Sequence, residues 1–322
     1  MADDGAPRVG IGYPRTFEEF EAWFGSENTC SDYISRLRWP EGFQCPCCGK
    51  VAKPWMKNRG LLQCPQCRGQ TSVTAGTLFH DTHKPLRTWF LAMWFITSQK
   101  QGTSALGLQR ILGLGSYRTA WSWLHKLRRA MVRPQRDRLN GVVEIDETYV
   151  GGRGSGVRGR GAERKALVAI AAEVRGRGPG RIRMARIPDA AATSLRAFVK
   201  ASVCERAEIH TDGWVGYSGI DRLGYTHMIT NISASGDPAH IVMPRVHLVA
   251  SLLDRWWLGT HQGAIRPAHL DYYLDEFTFR FNRRTSRARG LLFYRLMQHA
   301  LASDPVPYRA IVGGKTPRAH NT

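Results

Sequence analysis

Two CxxC pairs, Cys45-Pro-Cys-Cys48 and Cys64-Pro-Gln-Cys67, lie 15 residues apart and constrain this chain more than any other feature. Four thiolates at this spacing can close around one tetrahedral ion at about 2.3 Å. So short a segment has almost no apolar core, so the ion supplies its folding energy. Cys45, Cys48, Cys64 and Cys67 are therefore expected to hold one structural Zn2+. Gly49 and Gly69 are expected to supply the turn conformations of the two knuckles. Cys47, between two ligands, is expected to point away, and Cys30 and Cys204 read as buried or incidental. An odd count of seven cysteines, four of them in CxxC pairs, points to metal in a reducing compartment. The start of the chain has no apolar signal core, and no run of 18 apolar residues occurs, so neither secretion nor a membrane span is expected. The expected location is the cytoplasm.

Charge then narrows the partner. Lys and Arg number 46 against 26 Asp and Glu, a formal net charge of +20. Such an excess points to a polyanion, nucleic acid first.

Periodicity divides the rest. Phe17, Phe20 and Phe24 recur at helical steps over residues 16–38, with a break at Gly25-Ser26. Residues 40–75 are turn-like. Pro85 opens helical sequence that runs to Met131, interrupted at Gly102-Thr103 and at Gly113-Leu114-Gly115. The second interruption, with Ser116 as N-cap, fits a helix-turn-helix. Its second helix would offer Tyr117, Arg118 and Thr119 to DNA in its first turn, with Lys126, His125, Arg128 and Arg129 reaching the backbone. Trp121 reads as core, and Trp123 as core or DNA contact.

From Gly141 the texture changes. Residues 142–146, 166–174, 182–187 and 207–211 read as strands, and 191–203, 244–258 and 267–282 as helices, a mixed α/β order. Asp146 and Asp212 each end an apolar strand. Adjacent strands ending in carboxylates can share divalent ions that clamp the oxygens of an in-line displacement at phosphorus. Strand alternation turns Glu147 to the opposite face and keeps Glu144 on the Asp146 face.

The segments FQCPCCGK, LQCPQCRGQTSVTAGTLFHDT, GLQRILGLGSYRTAWSWLHKLRRAM, EIDETYVGG, HTDGWVGY, PRVHLVASLLDRWWLGTHQGA and YLDEFTFRFNRR together resemble the zinc-ribbon insertion-sequence transposases of the DDE superfamily, from about Pro14 to the C-terminus. The resemblance implies a multidomain α+β chain: zinc ribbon, helix-turn-helix, then an RNase H-like α/β catalytic domain with a mixed sheet. The corresponding domains are 14–75, 85–132 and 138–285, followed by a basic tail over 286–322. It implies double-stranded DNA as partner, terminal inverted repeats and target alike, a homo-oligomer on that DNA, and catalytic Mg2+ or Mn2+. Asp146 and Asp212 match the first two acids. The third position, commonly Glu, falls on His247, 34 residues beyond Asp212, with Asp254 and Glu276 as rivals. A neutral imidazole can ligate a divalent ion. Relatives carry Leu-Leu-Lys-Arg where this chain has Leu252-Leu253-Asp254-Arg255. The basic loop 153–164, Arg280, Arg283, Arg284, Arg287 and Arg289 would neutralise phosphates. The implied reaction is strand cleavage and strand transfer; a catalytically inactive DNA-binding regulator of the same descent is the alternative, and an RNase H-type nuclease a third.

Overall fold

The computed structural model describes residues 7–132, 136–151, 165–230, 239–263 and 265–313. The basic loop 153–164 lies outside the described residues. The chain divides into two compact units, Met1–Arg133 with Ser286–Thr322, and Pro134–Thr285.

In the first unit, α1 (Phe17–Trp23) and α2 (Glu27–Arg38) separate at the expected break. Ser26 and Thr29 form a capping box there, each side chain accepting from the other's backbone N–H. Three short antiparallel strands follow, β1 (Trp55–Met56), β2 (Leu62–Gln63) and β3 (Gln70–Thr71). Next come α3 (Leu86–Ser98), α4 (Ala105–Leu112) and α5 (Tyr117–Ala130). Pro85 offers α3 no capping side chain, and the Glu27 carboxylate accepts from the N–H groups of Leu86 and Arg87 at 2.7 and 2.9 Å. Gly113 closes α4 at φ 60°, and Ser116 Oγ caps α5 by accepting from the Arg118 N–H, so the helix, turn and second helix form as expected. No helix among the described residues is long and apolar enough to cross a membrane.

The second unit runs β4 (Val142–Val150), β5 (Ala166–Arg175), β6 (Gly178–Ile187), α6 (Ala192–Ser202), β7 (Glu208–Asp212), β8 (Thr226–Thr230), α7 (Pro244–His261) and α8 (Leu270–Asn282). The sheet order is β6-β5-β4-β7-β8, with β5 antiparallel to both neighbours and β4, β7 and β8 parallel. The sheet is mixed, as the resemblance implies. Alternation sorts its side chains. Val143, Ile145, Ala169 and Ile209 pack toward α6, while Val150, Ile170 and Met184 pack toward α7 and α8. The interior strand β5 is buried on both faces, which is why Ala166 to Ala172 is one apolar run. Strand β8 was not expected; it lies at the sheet edge with Met228 and Ile229 exposed, so its sequence lacks the alternation of a half-buried strand.

The final segment contains helices that its composition does not announce. Residues 286–322 are not a basic tail throughout: α9 (Arg289–Leu301) and α10 (Tyr308–Val312) form and belong to the first unit. Phe293 is fully buried, its ring within 5.5–6.3 Å of Phe20, Phe24, Phe90, Trp94 and Tyr33. Gly290 makes the approach possible, since a Cβ there would lie 1.6 Å from the Pro14 carbonyl oxygen. One aromatic cluster therefore joins α1, α2, α3 and α9, and the segments 14–75 and 85–132 share a core instead of forming separate domains.

This packing makes Phe293→Ala a severe change. Emptying so large a buried ring costs about 3–5 kcal/mol. Chemical denaturation should show that loss in the first unit. A loss below about 1 kcal/mol would mean that α9 is not part of that core.

Candidate metal centres and nucleic-acid interface

The four sulfurs of Cys45, Cys48, Cys64 and Cys67 lie within 4.8 Å of one another. Cys45 Sγ to Cys67 Sγ is 3.6 Å, and Cys48 Sγ to Cys64 Sγ is 3.9 Å. A tetrahedron with metal–sulfur bonds of 2.3 Å has edges of about 3.8 Å, so the cage fits structural Zn2+. The Cys48 backbone N–H, before all other influences, holds the Cys45 thiol down to about 7. Against the Gly69 N–H, the hydrogen bond from Cys45 pushes the Cys67 thiol up to about 12. These shifts describe thiols sharing protons and not the metal-bound state.

The two knuckles repeat one backbone pattern. Gly49 N–H donates to Cys45 O and Arg68 N–H to Cys64 O, while Cys45 N–H donates to Lys50 O and Cys64 N–H to Gly69 O. Arg68 thus stands where the first knuckle has Gly49, with φ 61° against 72°. Gly69 does not carry the left-handed turn expected of it. It is needed for space, because a Cβ there would come 3.2 Å from both Cys67 Sγ and Cys47 Cβ. A left-handed conformation costs a side-chain-bearing residue about 1–2 kcal/mol. The Arg68 guanidinium lies 4.5 Å from the Trp55 ring centroid. An exposed cation–π contact returns about 0.5–1 kcal/mol, at most an even exchange.

In the second unit, β4 and β7 pair Glu144 with His210 in parallel register. Two residues further along the same face, Asp146 and Asp212 come side by side. His247, in the first turn of α7, brings Nε2 to 3.8 Å from Asp146 Oδ2, and the two side chains are 27% and 24% exposed, open enough to meet a substrate. Burial pushes the Asp146 carboxyl up to about 6, and the Asp212 charge adds to the rise against the Glu147 N–H, which donates to Asp146 Oδ1 at 2.8 Å. His247 and Asp146 therefore meet, and Asp212 lies near enough for its charge to act on Asp146.

Their neighbours explain how they are held. Glu144 is buried, and one of its oxygens accepts from the N–H groups of Arg245 and Val246 at 2.7 and 2.9 Å. It caps α7 from the neighbouring strand, because Met243 and Pro244 supply no capping side chain. Glu147 faces the other side of the sheet, as alternation requires, and accepts from Tyr217 Oη at 2.6 Å. Asp212 Oδ1 accepts from the Trp214 N–H, and the Trp214 indole donates to Ala190 O. Gly216 admits this packing: a Cβ would lie 2.5 Å from that carbonyl.

The rivals to His247 sit differently. Glu276 is buried and accepts from Arg280 Nε at 2.8 Å. Asp254 is exposed two turns along α7, about 10.5 Å along the axis. Its surroundings still shield the carboxyl in part, which raises it, while Lys165 lowers it.

Of the residues expected at DNA, Tyr117 and Arg118 are exposed, and Arg118 lies 5.4 Å from the Tyr308 ring. Thr119 and Lys126 are half-buried, and burial lowers the Lys126 ammonium. His125 and Arg128 are buried to 1% exposure, which removes them from any backbone contact. Trp123 is core, stacked 3.6 Å from Trp89. Arg283 stacks on Phe279, and Arg284 donates to Gly180 O, Phe281 O and Pro179 O, which fastens the end of α8 to the β5–β6 hairpin. Sequence reasoning missed the capping by Glu144 and this use of Arg284, since both link residues about 100 positions apart.

Residues 138–282 match the model of the ISXO2-like transposase domain, and residues 25–70 that of the transposase zinc-ribbon domain. The chain is 30% identical over 281 residues to the "Uncharacterized protein in transposable element ISH50" of Halobacterium salinarum, covering 80% of this chain and 91% of that protein. Among solved structures, the catalytic core domain of BIV integrase aligns with 16% identity and a TM-score of 0.27, over 43% of this chain and 82% of that one. A pre-cleavage Mos1 transpososome aligns with 11% identity and a TM-score of 0.28, over 66% of this chain and 78% of that one.

Two outcomes follow from the site geometry. Cys64→Ser should lose the bound zinc that the intact chain carries, read by elemental analysis; equal zinc in both proteins would remove Cys64 from the cage. Glu144→Ala should lower stability by about 1–3 kcal/mol, because two N–H groups of α7 lose their acceptor. Glu144→Gln should restore part of it, since the amide oxygen still accepts. An unchanged melting curve for Glu144→Ala would show that α7 does not depend on this cap.

Proposed function

Because the chain belongs to the ISXO2-like insertion-sequence transposases, we propose that it binds the ends of its element and catalyses metal-dependent phosphoryl transfer, strand cleavage followed by strand transfer. The observation that carries this reading is the approach of His247 to Asp146, Nε2 3.8 Å from Oδ2, with the Asp212 charge acting on the same carboxyl. Two carboxylates and an imidazole suit Mg2+ or Mn2+, and like-charged acids beside each other favour a cation between them. Bound there, the ions would activate an oxygen nucleophile and offset charge at phosphorus.

The chain's own residues have distinct parts. Asp146 and Asp212 supply the anionic ligands, and His247 completes the set with one negative charge fewer than a third carboxylate. Glu144 orients His247 through α7. Tyr117, Arg118 and Thr119 meet DNA at the start of α5, and Arg118 neutralises phosphate. Lys126 stands behind that contact as a supporting cation, Arg283 offers a cation on the second unit, and Arg284 acts through the hairpin it holds. A homo-oligomer in the cytoplasm would bring two element ends together.

Asp146→Asn and Asp212→Asn should each abolish cleavage of element-end DNA in Mg2+ while leaving affinity unchanged, because a carboxamide keeps the shape but not the charge. His247→Ala should do the same. Normal cutting by any one of them removes that residue from the site, and normal cutting by His247→Ala would return Asp254 or Glu276 to consideration. For binding, Arg118→Ala should flatten the slope of log K against log salt by about one; an unaltered slope would move the DNA contact off α5.

A further inference from the structure

The zinc ribbon carries a surface that the catalytic reading leaves unused. Trp55 and Met56 form β1, the edge strand of the small sheet, and are 42% and 70% exposed. The Trp55 ring has the Arg68 guanidinium 4.5 Å from its centroid and the Lys57 ammonium 5.9 Å from it. Across residues 40–71 the only acid is Glu41, while Lys50, Lys53, Lys57 and Arg68 are all exposed.

Arg68 is the informative residue. It occupies the left-handed position that the matching knuckle gives to Gly49. Glycine adopts that conformation without strain, and the ring contact does no more than offset the strain of arginine. Folding alone therefore gives no reason for arginine here; a partner that needs a cation beside an exposed indole does. The local charge is one-sided, and an aromatic face flanked by cations matches a sugar–phosphate backbone. An apolar protein partner would leave those cations desolvated and unpaired.

We propose that the Trp55–Lys57–Arg68 face of the ribbon binds duplex DNA, Arg68 and Lys57 on phosphates and the indole against the backbone between them. This rests on the reading of the chain as a protein that acts on DNA. It adds a contact separate from α5.

The test uses the full-length, zinc-loaded chain and a fluorescein-labelled duplex of mixed sequence, followed by anisotropy across a salt series. Arg68→Gly should keep its zinc and melt at the same temperature or higher, because glycine relieves the left-handed strain. It should nevertheless bind DNA about threefold to tenfold more weakly, with a salt slope lower by about one. Trp55→Ala should weaken binding without altering that slope. Unchanged affinity in the Arg68→Gly, Trp55→Ala double variant would overturn the proposal, and if Arg118→Ala still weakens binding, the DNA-binding reading itself stands. Loss of zinc or a lowered melting temperature in Arg68→Gly would also overturn it, by making Arg68 a folding residue. A shift in mass by light scattering, with DNA affinity intact, would assign the face to contact between copies of the chain. Failure of the unaltered chain to bind duplex at all would sink both readings together.

Discussion

A helix that begins on or just after proline has no side chain of its own in place to accept its first N–H groups, and those groups cannot be left buried and unpaired. Both units of this protein meet that constraint with a glutamate from a distant element. Glu27 on α2 serves α3 after Pro85, and Glu144 on β4 serves α7 at Pro244. A carboxylate at a helix N-terminus meets both the donors and the positive end of the helix dipole. The direction of α7 is thereby tied to the strand that carries Asp146. His247, one turn from the cap, inherits its place from Glu144.

Strand parity then divides the acids of β4 by role. Glu144 and Asp146 share a face, but Glu144 lies two residues back and is committed to α7, so its charge is already balanced. Asp146 has Asp212 beside it instead, and its carboxyl rises to about 6, with burial the larger cause. Glu147, on the opposite face, is fastened by Tyr217. Three acids within four residues therefore hold a helix, bear the site and anchor a loop.

What could be read in advance follows from how local each signal is. The CxxC pairs, the helix break at Gly25-Ser26, the Ser116 cap and the strand pattern of β5 depend on neighbours in sequence, and they were legible. The approach of His247 to Asp146 was legible by resemblance and strand position, although no local pattern brings α7 to β4. Contacts between distant segments were not legible. Nothing in Arg289–Leu301 marks Phe293 as the partner of Phe20 and Phe24, because its basic flanks dominate the composition. Gly49 and Gly69 looked equivalent, yet the backbone pattern shifts the left-handed turn onto Arg68 and leaves Gly69 to make room for sulfur.

The same distinction applies to the charge of +20. Many of the arginines cross-link the fold. Arg38 donates to Ser72 O and Val73 O, Arg87 to Phe24 O and Glu21, Arg181 to Glu173, Arg183 to Ile182 O and Asp137 O, and Arg245 to Gly176 O. The planar guanidinium suits this work, since its five donors can satisfy several carbonyls at once. A carbonyl accepts a hydrogen bond without cancelling the charge. Arg38 and Arg183, held by carbonyls, therefore still contribute to the field that attracts a polyanion, whereas Arg87, Arg181 and Arg245 are paired with Glu21, Glu173 and Glu144. At physiological salt that field decays over about 8 Å, so on the proposed reading it would steer DNA toward the protein without fixing a register. Register has to come from cations whose donors remain available at the surface, and in the first unit those include Arg118 on α5 and the lysines and Arg68 of the ribbon. On the proposed reading, the total charge would set the attraction, and the exposed cations with free donors would determine where the DNA lies.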